Sequence, residues 1–140
     1  MQRNFPVLQN KHVIPLLEKD LTDKIIGAAI EVHRTLGAGL LESAYQTCMK
    51  RECALQKIPF ERQVGLPLNY KGVELNAGYV IDLVIDKRVV VELKAVERVL
   101  PVHEAQLLTY MKLTGIHVGL LLNFNVPVLK DGIYRRALSK

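Results

Sequence analysis

The sequence predicts a small α/β fold, a mixed β-sheet with helices packed on it, and three observations carry that expectation. The chain has 140 residues, the size of one domain and enough for one continuous core. Its apolar residues recur first at helical spacing and later in short runs rich in Val and Ile. The resulting order is helix, helix, three strands, helix, strand, which mixes the two types along the chain. Apolar residues make up 49% and charged residues 24%, an ordinary globular composition.

Residues 1–20, with Pro6 and Pro15, read as an N-terminal arm, and 21–140 as a single domain. Leu21-Thr22-Asp23 is a helix start, with Thr22 able to cap and Asp23 placed in the first turn. Ile25, Ile26, Ala29, Ile30, Val32, His33 and Leu36 continue that helix, and Gly37 suits a left-handed cap at its end. A second helix spans about Leu40 to Gln56 and stops before Pro59. Strand-like runs follow at Val64 to Tyr70, Tyr79 to Ile85 and Val89 to Val96, with turn signals at Lys71-Gly72 and Asp86-Lys87. A third helix covers about Val102 to Leu113 and closes at Gly115. Ile116 to Phe124 is too apolar to face water on either side, so it reads as a central strand. Asp131-Gly132 is a turn before a last short strand.

Several function classes are disfavoured at this level. No apolar run reaches the roughly 18 residues of a membrane span, and Met1 to Pro6 lacks the layout of a signal peptide. Cys48 and Cys53 on one helix stand about 140° apart and cannot pair there, so they read as free thiols in a reducing, cytoplasmic setting. They have no zinc-ligand spacing. There is no Gly-rich phosphate loop and no serine on a nucleophile elbow. The formal charge of +5 suits a polyanionic partner such as nucleic acid, although the basic residues are scattered.

The chemistry concentrates in the middle. Asp82 interrupts Tyr79-Val80-Ile81 and Leu83-Val84-Ile85, and Glu92 and Lys94 interrupt an equally apolar run. A carboxylate in such a strand is costly to bury unless it is paired or binds a metal. Glu92 and Lys94 are two apart and leave the same face of a strand. With a three-residue loop at Asp86-Lys87-Arg88, Asp82 falls opposite Glu92, β-carbons about 5 Å apart, where like charges repel and a divalent cation relieves the repulsion. A two-residue loop would shift that register by one. Taken alone, Glu92-Leu93-Lys94 also fits a solvated strand with alternating faces.

Gly39-Leu40-Leu41-Glu42-Ser43-Ala44-Tyr45 spells G-x-x-E-x-x-Y, and Asp82, Glu92 and Lys94 spell D-x9-E-x-K. Gln106 and Tyr110 form Q-x3-Y, preceded by His103 and followed by Leu121-Leu122-Asn123-Phe124-Asn125. In this order, with Glu31 to Gly37 ahead of them, these blocks resemble the GxxExxY protein family, a branch of the PD-(D/E)XK nuclease superfamily. Ile81 stands where the superfamily's name has proline. The resemblance implies a restriction-endonuclease-like core and a Mg²⁺ or Mn²⁺ site. Asp82 and Glu92 would be metal ligands with the Leu93 carbonyl a third, Glu42 a further ligand directly or through water, and Lys94 the catalytic lysine. Gln106 and Tyr110 would line the edge of the active site.

Other readings of these residues compete. Glu42 also fits a first-turn acid stabilised by the helix dipole, Tyr45 a core aromatic, and Gln106 a packing residue at a helix start. His33 and His103 are further candidates, His103 lying one turn before Gln106, whereas His12 and His117 have no such context. The expectation is a metal-dependent nuclease acting on nucleic acid, DNA foremost, without strong sequence specificity, and acting as a homodimer by analogy of fold. The alternatives are an inactive nucleic-acid- or protein-binding module on the same fold and, fitting least well, a small glycosidase.

Overall fold

The computed structural model describes residues 16–75 and 78–139. His12 and most of the expected arm lie outside the described residues. In chain order the elements are α1 (Lys19–Leu36), α2 (Glu42–Leu55), β1 (Phe60–Gly65), β2 (Leu68–Tyr70), β3 (Val73–Leu75), β4 (Val80–Ile85), β5 (Val89–Lys94), α3 (Pro101–Thr114), β6 (Val118–Asn123), a 3₁₀ turn (Leu129–Gly132) and β7 (Ile133–Ala137). Five strands form one sheet in the order β1-β4-β5-β6-β7, and β2 and β3 form a separate two-stranded ribbon. Only β5 and β6 run parallel, and α3 makes the crossover that a parallel pair requires. This is the mixed sheet flanked by helices that the sequence predicts.

The core divides along the sheet. On one face Leu83, Ile85, Val89, Val91, Leu93, Leu120 and Leu122 pack against α1 and α2. On the other, Val84, Val90 and Leu121 pack against Leu107, Tyr110 and Met111 of α3. The interior strand β6, between β5 and β7, is buried along its whole length, as its unbroken apolar run predicts. Among the described residues no helix is long and apolar enough to cross a membrane.

Local details depart from expectation for identifiable reasons. α1 starts at Lys19, so Thr22 does not cap it; its hydroxyl is buried inside the first turn and donates to the Lys19 carbonyl at 3.1 Å. Gly37 has a positive φ of 73° but an extended ψ of −172°, so it leaves the helix without forming a left-handed cap. That geometry appears instead at Gly115, φ 73° and ψ 14°, after α3. Pro67 cannot donate to a ladder, and the expected strand from Val64 to Tyr70 breaks there into β1 and β2. Cys48 and Cys53 are both free, and burial pushes the Cys53 thiol up to about 11.

Tyr45 is a core residue with a polar task. Its ring is fully buried and stacks on Phe124, centroids 4.6 Å apart and planes 11° from parallel, a pairing worth about 0.5–1.5 kcal/mol beyond area burial. Its hydroxyl donates to the Gly37 carbonyl at 2.6 Å and accepts from the Leu40 N–H at 3.2 Å. The tyrosine thus ties down the loop that enters α2, whose first helical residue is Glu42. Tyr45→Phe keeps the stack and strands both loop groups, so it should lower stability by about 1–3 kcal/mol. A urea midpoint equal to wild type would show that the hydroxyl bonds are not holding the loop.

Candidate active site

The site forms where β4 and β5 part. Their ladder runs Ile85 to Val89, Val84 to Val90 and Leu83 to Val91, and one step further brings Asp82 opposite Glu92. The connecting loop is the three-residue Asp86-Lys87-Arg88, with Asp86 and Lys87 at positive φ, which sets this register. At the open end the side chains continue what the backbones stop. The Asp82 N–H donates to Glu92 Oε2 at 2.8 Å, and the Leu93 N–H donates to Asp82 Oδ2 at 2.9 Å. Each carboxylate is therefore fixed by the other strand.

Residues of β5 alternate faces, so Glu92 and Lys94 follow Val90 toward α3 while Leu93 packs under α1 and α2. In an extended strand the N–H and C=O of one residue point to the same neighbour. The Leu93 N–H goes to Asp82, so its carbonyl faces the β4 side as well. The next carbonyl, that of Lys94, turns the other way and accepts from the Phe124 N–H at 2.9 Å. Beyond Lys94 the chain peels off the sheet, held by Asn123, which accepts from the Val96 N–H and donates to the Val96 carbonyl, both at 3.0 Å.

From the other side α2 delivers Glu42 and, one turn later, Gln46. The Gln46 amide donates to Glu42 Oε2 and to Asp82 Oδ1, each at 3.2 Å, and links the helix to the strand pair. The sequence reading passed over Gln46. Its spacing of four from Glu42, which puts both on one helix face, was the signal available.

Burial governs the electrostatics. Glu92 is 4% exposed, and desolvation, reinforced by the Asp82 charge, pushes its carboxyl up to about 8. Burial also raises Asp82, against the Leu93 N–H and the Lys94 charge, and raises Glu42. The Lys94 ammonium acts on all three carboxylates, yet among the described residues it closes no salt bridge with any of them.

Among the described residues no three His, Cys, Asp or Glu side chains converge as a finished metal shell. Glu42 joins the pair through Gln46, whose amide donates to both Glu42 and Asp82, and its charge acts on Glu92 as that of Asp82 does. The donors that do converge are the Asp82 and Glu92 carboxylates and the β4-facing carbonyl of Leu93. All are hard oxygens, and Mg²⁺ commonly takes one or two carboxylates and keeps several waters. The set fits such a cation and does not fit the nitrogen and sulfur preference of zinc.

Gln106 and Tyr110 lie on α3 and line a groove of about 320 Å³ together with Leu68, Tyr79, Val102 and Thr109. Neither hydrogen-bonds the carboxylates among the described residues. The Tyr110 hydroxyl is raised by burial and then by the Glu92 and Asp82 charges, which places it within their field. His103 does not reach toward the site. Its Nδ1 accepts from the Leu100 N–H at 3.0 Å and caps the start of α3. His33 is buried, with Nε2 2.8 Å from the Val126 carbonyl and its ring tilted against Phe124, a structural role.

Neither a curated protein nor a solved structure matches the chain. A family profile does, over residues 19–136, and its description is the PD-(D/E)XK nuclease superfamily. The match begins at the first residue of α1, ends within β7 and takes in both the helical glutamate and the braced Asp82–Glu92 pair. The chain belongs to the PD-(D/E)XK nuclease superfamily.

Proposed function

We propose that this protein is a divalent-metal-dependent phosphodiesterase acting on nucleic acid, DNA foremost, without strong sequence specificity, and that it is a member of the GxxExxY family within its superfamily. The observation that carries the reading is the carboxylate pair, half-buried Asp82 and buried Glu92, cross-braced next to an ammonium that pairs with neither. The family placement rests on Gly39, Glu42 and Tyr45 taken in order with Asp82, Glu92, Lys94, Gln106 and Tyr110, and Tyr45 of that set ties the Gly37 carbonyl and the Leu40 N–H ahead of α2.

The cation, when bound, would offset phosphate charge and acidify the attacking water. Asp82, Glu92 and the Leu93 carbonyl would hold it. Lys94, on the Glu92 face and free of a direct carboxylate partner, would orient the nucleophile and stabilise charge developing on the phosphate. Glu42 would offer the cation a further oxygen, directly or through water, and Gln46 would steady both Glu42 and Asp82. Basic side chains elsewhere would hold the backbone without reading sequence.

The decisive comparison is calorimetric titration of Mn²⁺ into wild type, Asp82→Ala and Lys94→Ala, with plasmid nicking in parallel. We expect binding by wild type and Lys94→Ala and its loss in Asp82→Ala. We expect metal-dependent nicking by wild type, none by Asp82→Ala, and nicking by Lys94→Ala that is slower by about 10²-fold or more. Absence of Mn²⁺ binding by wild type, even with a DNA fragment present, would refute the metal site and favour a binding module.

A second expectation concerns acidity. The Glu92 carboxyl titrates higher in the folded protein, about 8, than in the unfolded chain, near 4.5. Its neutral form is therefore the one the fold favours, and stability is lost as pH rises from 4.5 through about 8. In chelator-treated protein, Glu92→Gln should remove this loss and raise stability at pH 9 by on the order of 2 kcal/mol. Parallel melting curves for the two proteins between pH 5 and 9 (a window set by the linkage relation) would show instead that Glu92 is ionised in the metal-free fold.

A further inference from the structure

The groove beside the site has features that the cleavage chemistry does not require. It runs between α3 and the start of β4, is walled by Leu68, Tyr79 and Val102, and carries polar groups at Gln106 and Thr109. Its surface is mainly apolar, and its volume of about 320 Å³ is at the small end of ligand sites, which run from about 300 to 1,000 Å³. That space admits a planar ring system and excludes a helix. Tyr79 is 44% exposed, so its ring is offered to solvent rather than consumed by the core.

Position decides which ring system. Tyr79 stands three residues before Asp82, so by strand rise the groove wall lies within about 10 Å of the carboxylate pair. Tyr110 belongs to both places, lining the groove while feeling the Asp82 and Glu92 charges. A polynucleotide with a phosphate at the carboxylates would have its neighbouring base at the mouth of the groove. A base held in a duplex is stacked and paired and cannot enter, whereas an unpaired base can leave its stack and lie against an aromatic ring.

We propose that the groove between Tyr79 and α3 receives an unpaired nucleobase next to the scissile phosphate, so that the protein selects single-stranded or unpaired nucleic acid over continuous duplex. This rests on the phosphodiesterase reading above and narrows its substrate class. Stacking on Tyr79 accepts any base, which agrees with weak sequence preference.

The test is binding, measured by fluorescence anisotropy in chelator with a single-stranded oligonucleotide of about 12 nucleotides, within the usual site sizes, and with the matching blunt duplex. Tyr79→Ala removes the ring, and Ala105→Trp fills the groove from an exposed position that also lines it. Both should weaken single-strand binding about tenfold and leave duplex binding unchanged, while Tyr79→Phe keeps wild-type affinity. Abasic sites placed one at a time along the strand should reveal a position whose loss costs wild type about tenfold and Tyr79→Ala nothing more. Unchanged single-strand affinity in both variants overturns the proposal and leaves the groove to a protein segment or a second copy of the chain. An equal loss on single strand and duplex also overturns it, as does a Phe variant as weak as the Ala variant. These arms contain no metal, so they judge the groove even if the plasmid assay fails, and nicking by wild type judges the metal site even if the groove fails.

Discussion

Two ionised carboxylates about 5 Å apart repel by roughly 3 kcal/mol at the effective dielectric of a protein site, and in the Asp82–Glu92 pair the cost of leaving water, greatest at buried Glu92, comes on top of the repulsion. The site has one internal answer to this. The Asp82 N–H binds Glu92 and the Leu93 N–H binds Asp82, and hydrogen bonds to ionised groups contribute about 1.5–3 kcal/mol each. Those bonds roughly offset the mutual repulsion and leave the desolvation, which is why the Glu92 carboxyl sits near 8. What remains is met by a proton or by a cation. The structure therefore keeps a place that is stable enough to fold and, with Lys94 near but closing no salt bridge among the described residues, is still short of positive charge.

The rest of the fold is arranged around that place. The parallel pairing of β5 with buried β6 fixes Glu92 and Lys94 in depth, and Asn123 clamps the chain as it leaves the sheet after Lys94. Tyr45 and Phe124 join the loop ahead of α2 to the end of β6, so Glu42 and Gln46 arrive at Asp82 from a helix that is anchored to the same strand. Glycine matters at Gly132, where a β-carbon would meet the Asn123 carbonyl at 2.1 Å and push on that clamp.

Much of this was legible in the sequence, because period and interruption are local properties. The apolar runs mark β4, β5 and β6, and the three-residue loop sets a ladder that ends at Leu83 and Val91, one step short of Asp82 and Glu92, which the side-chain bonds then join. Features that depend on where an element starts, or on long-range contact, were not legible. Thr22 looks like a cap in isolation, but α1 starts earlier and buries it. His103 looks like a site residue by spacing from Gln106, but the nearby Leu100 N–H takes its ring nitrogen. The spacing of Gln46 from Glu42 shows that they share a helix face, but its bond to Asp82 depends on α2 crossing near β4. Glu42 was read as a ligand or a dipole acid, and its link to Asp82 through Gln46 lay between those readings.

The central claim is that Asp82, Glu92 and the Leu93 carbonyl share one cation. The most direct measurement is a crystal grown with Mn²⁺ and recorded at the manganese absorption edge. The account predicts one strong anomalous peak at the open end of β4 and β5, within about 2.0–2.4 Å of an oxygen from each of the three residues. A peak elsewhere on the molecule, or clear density for the three residues with no peak between them, would contradict it.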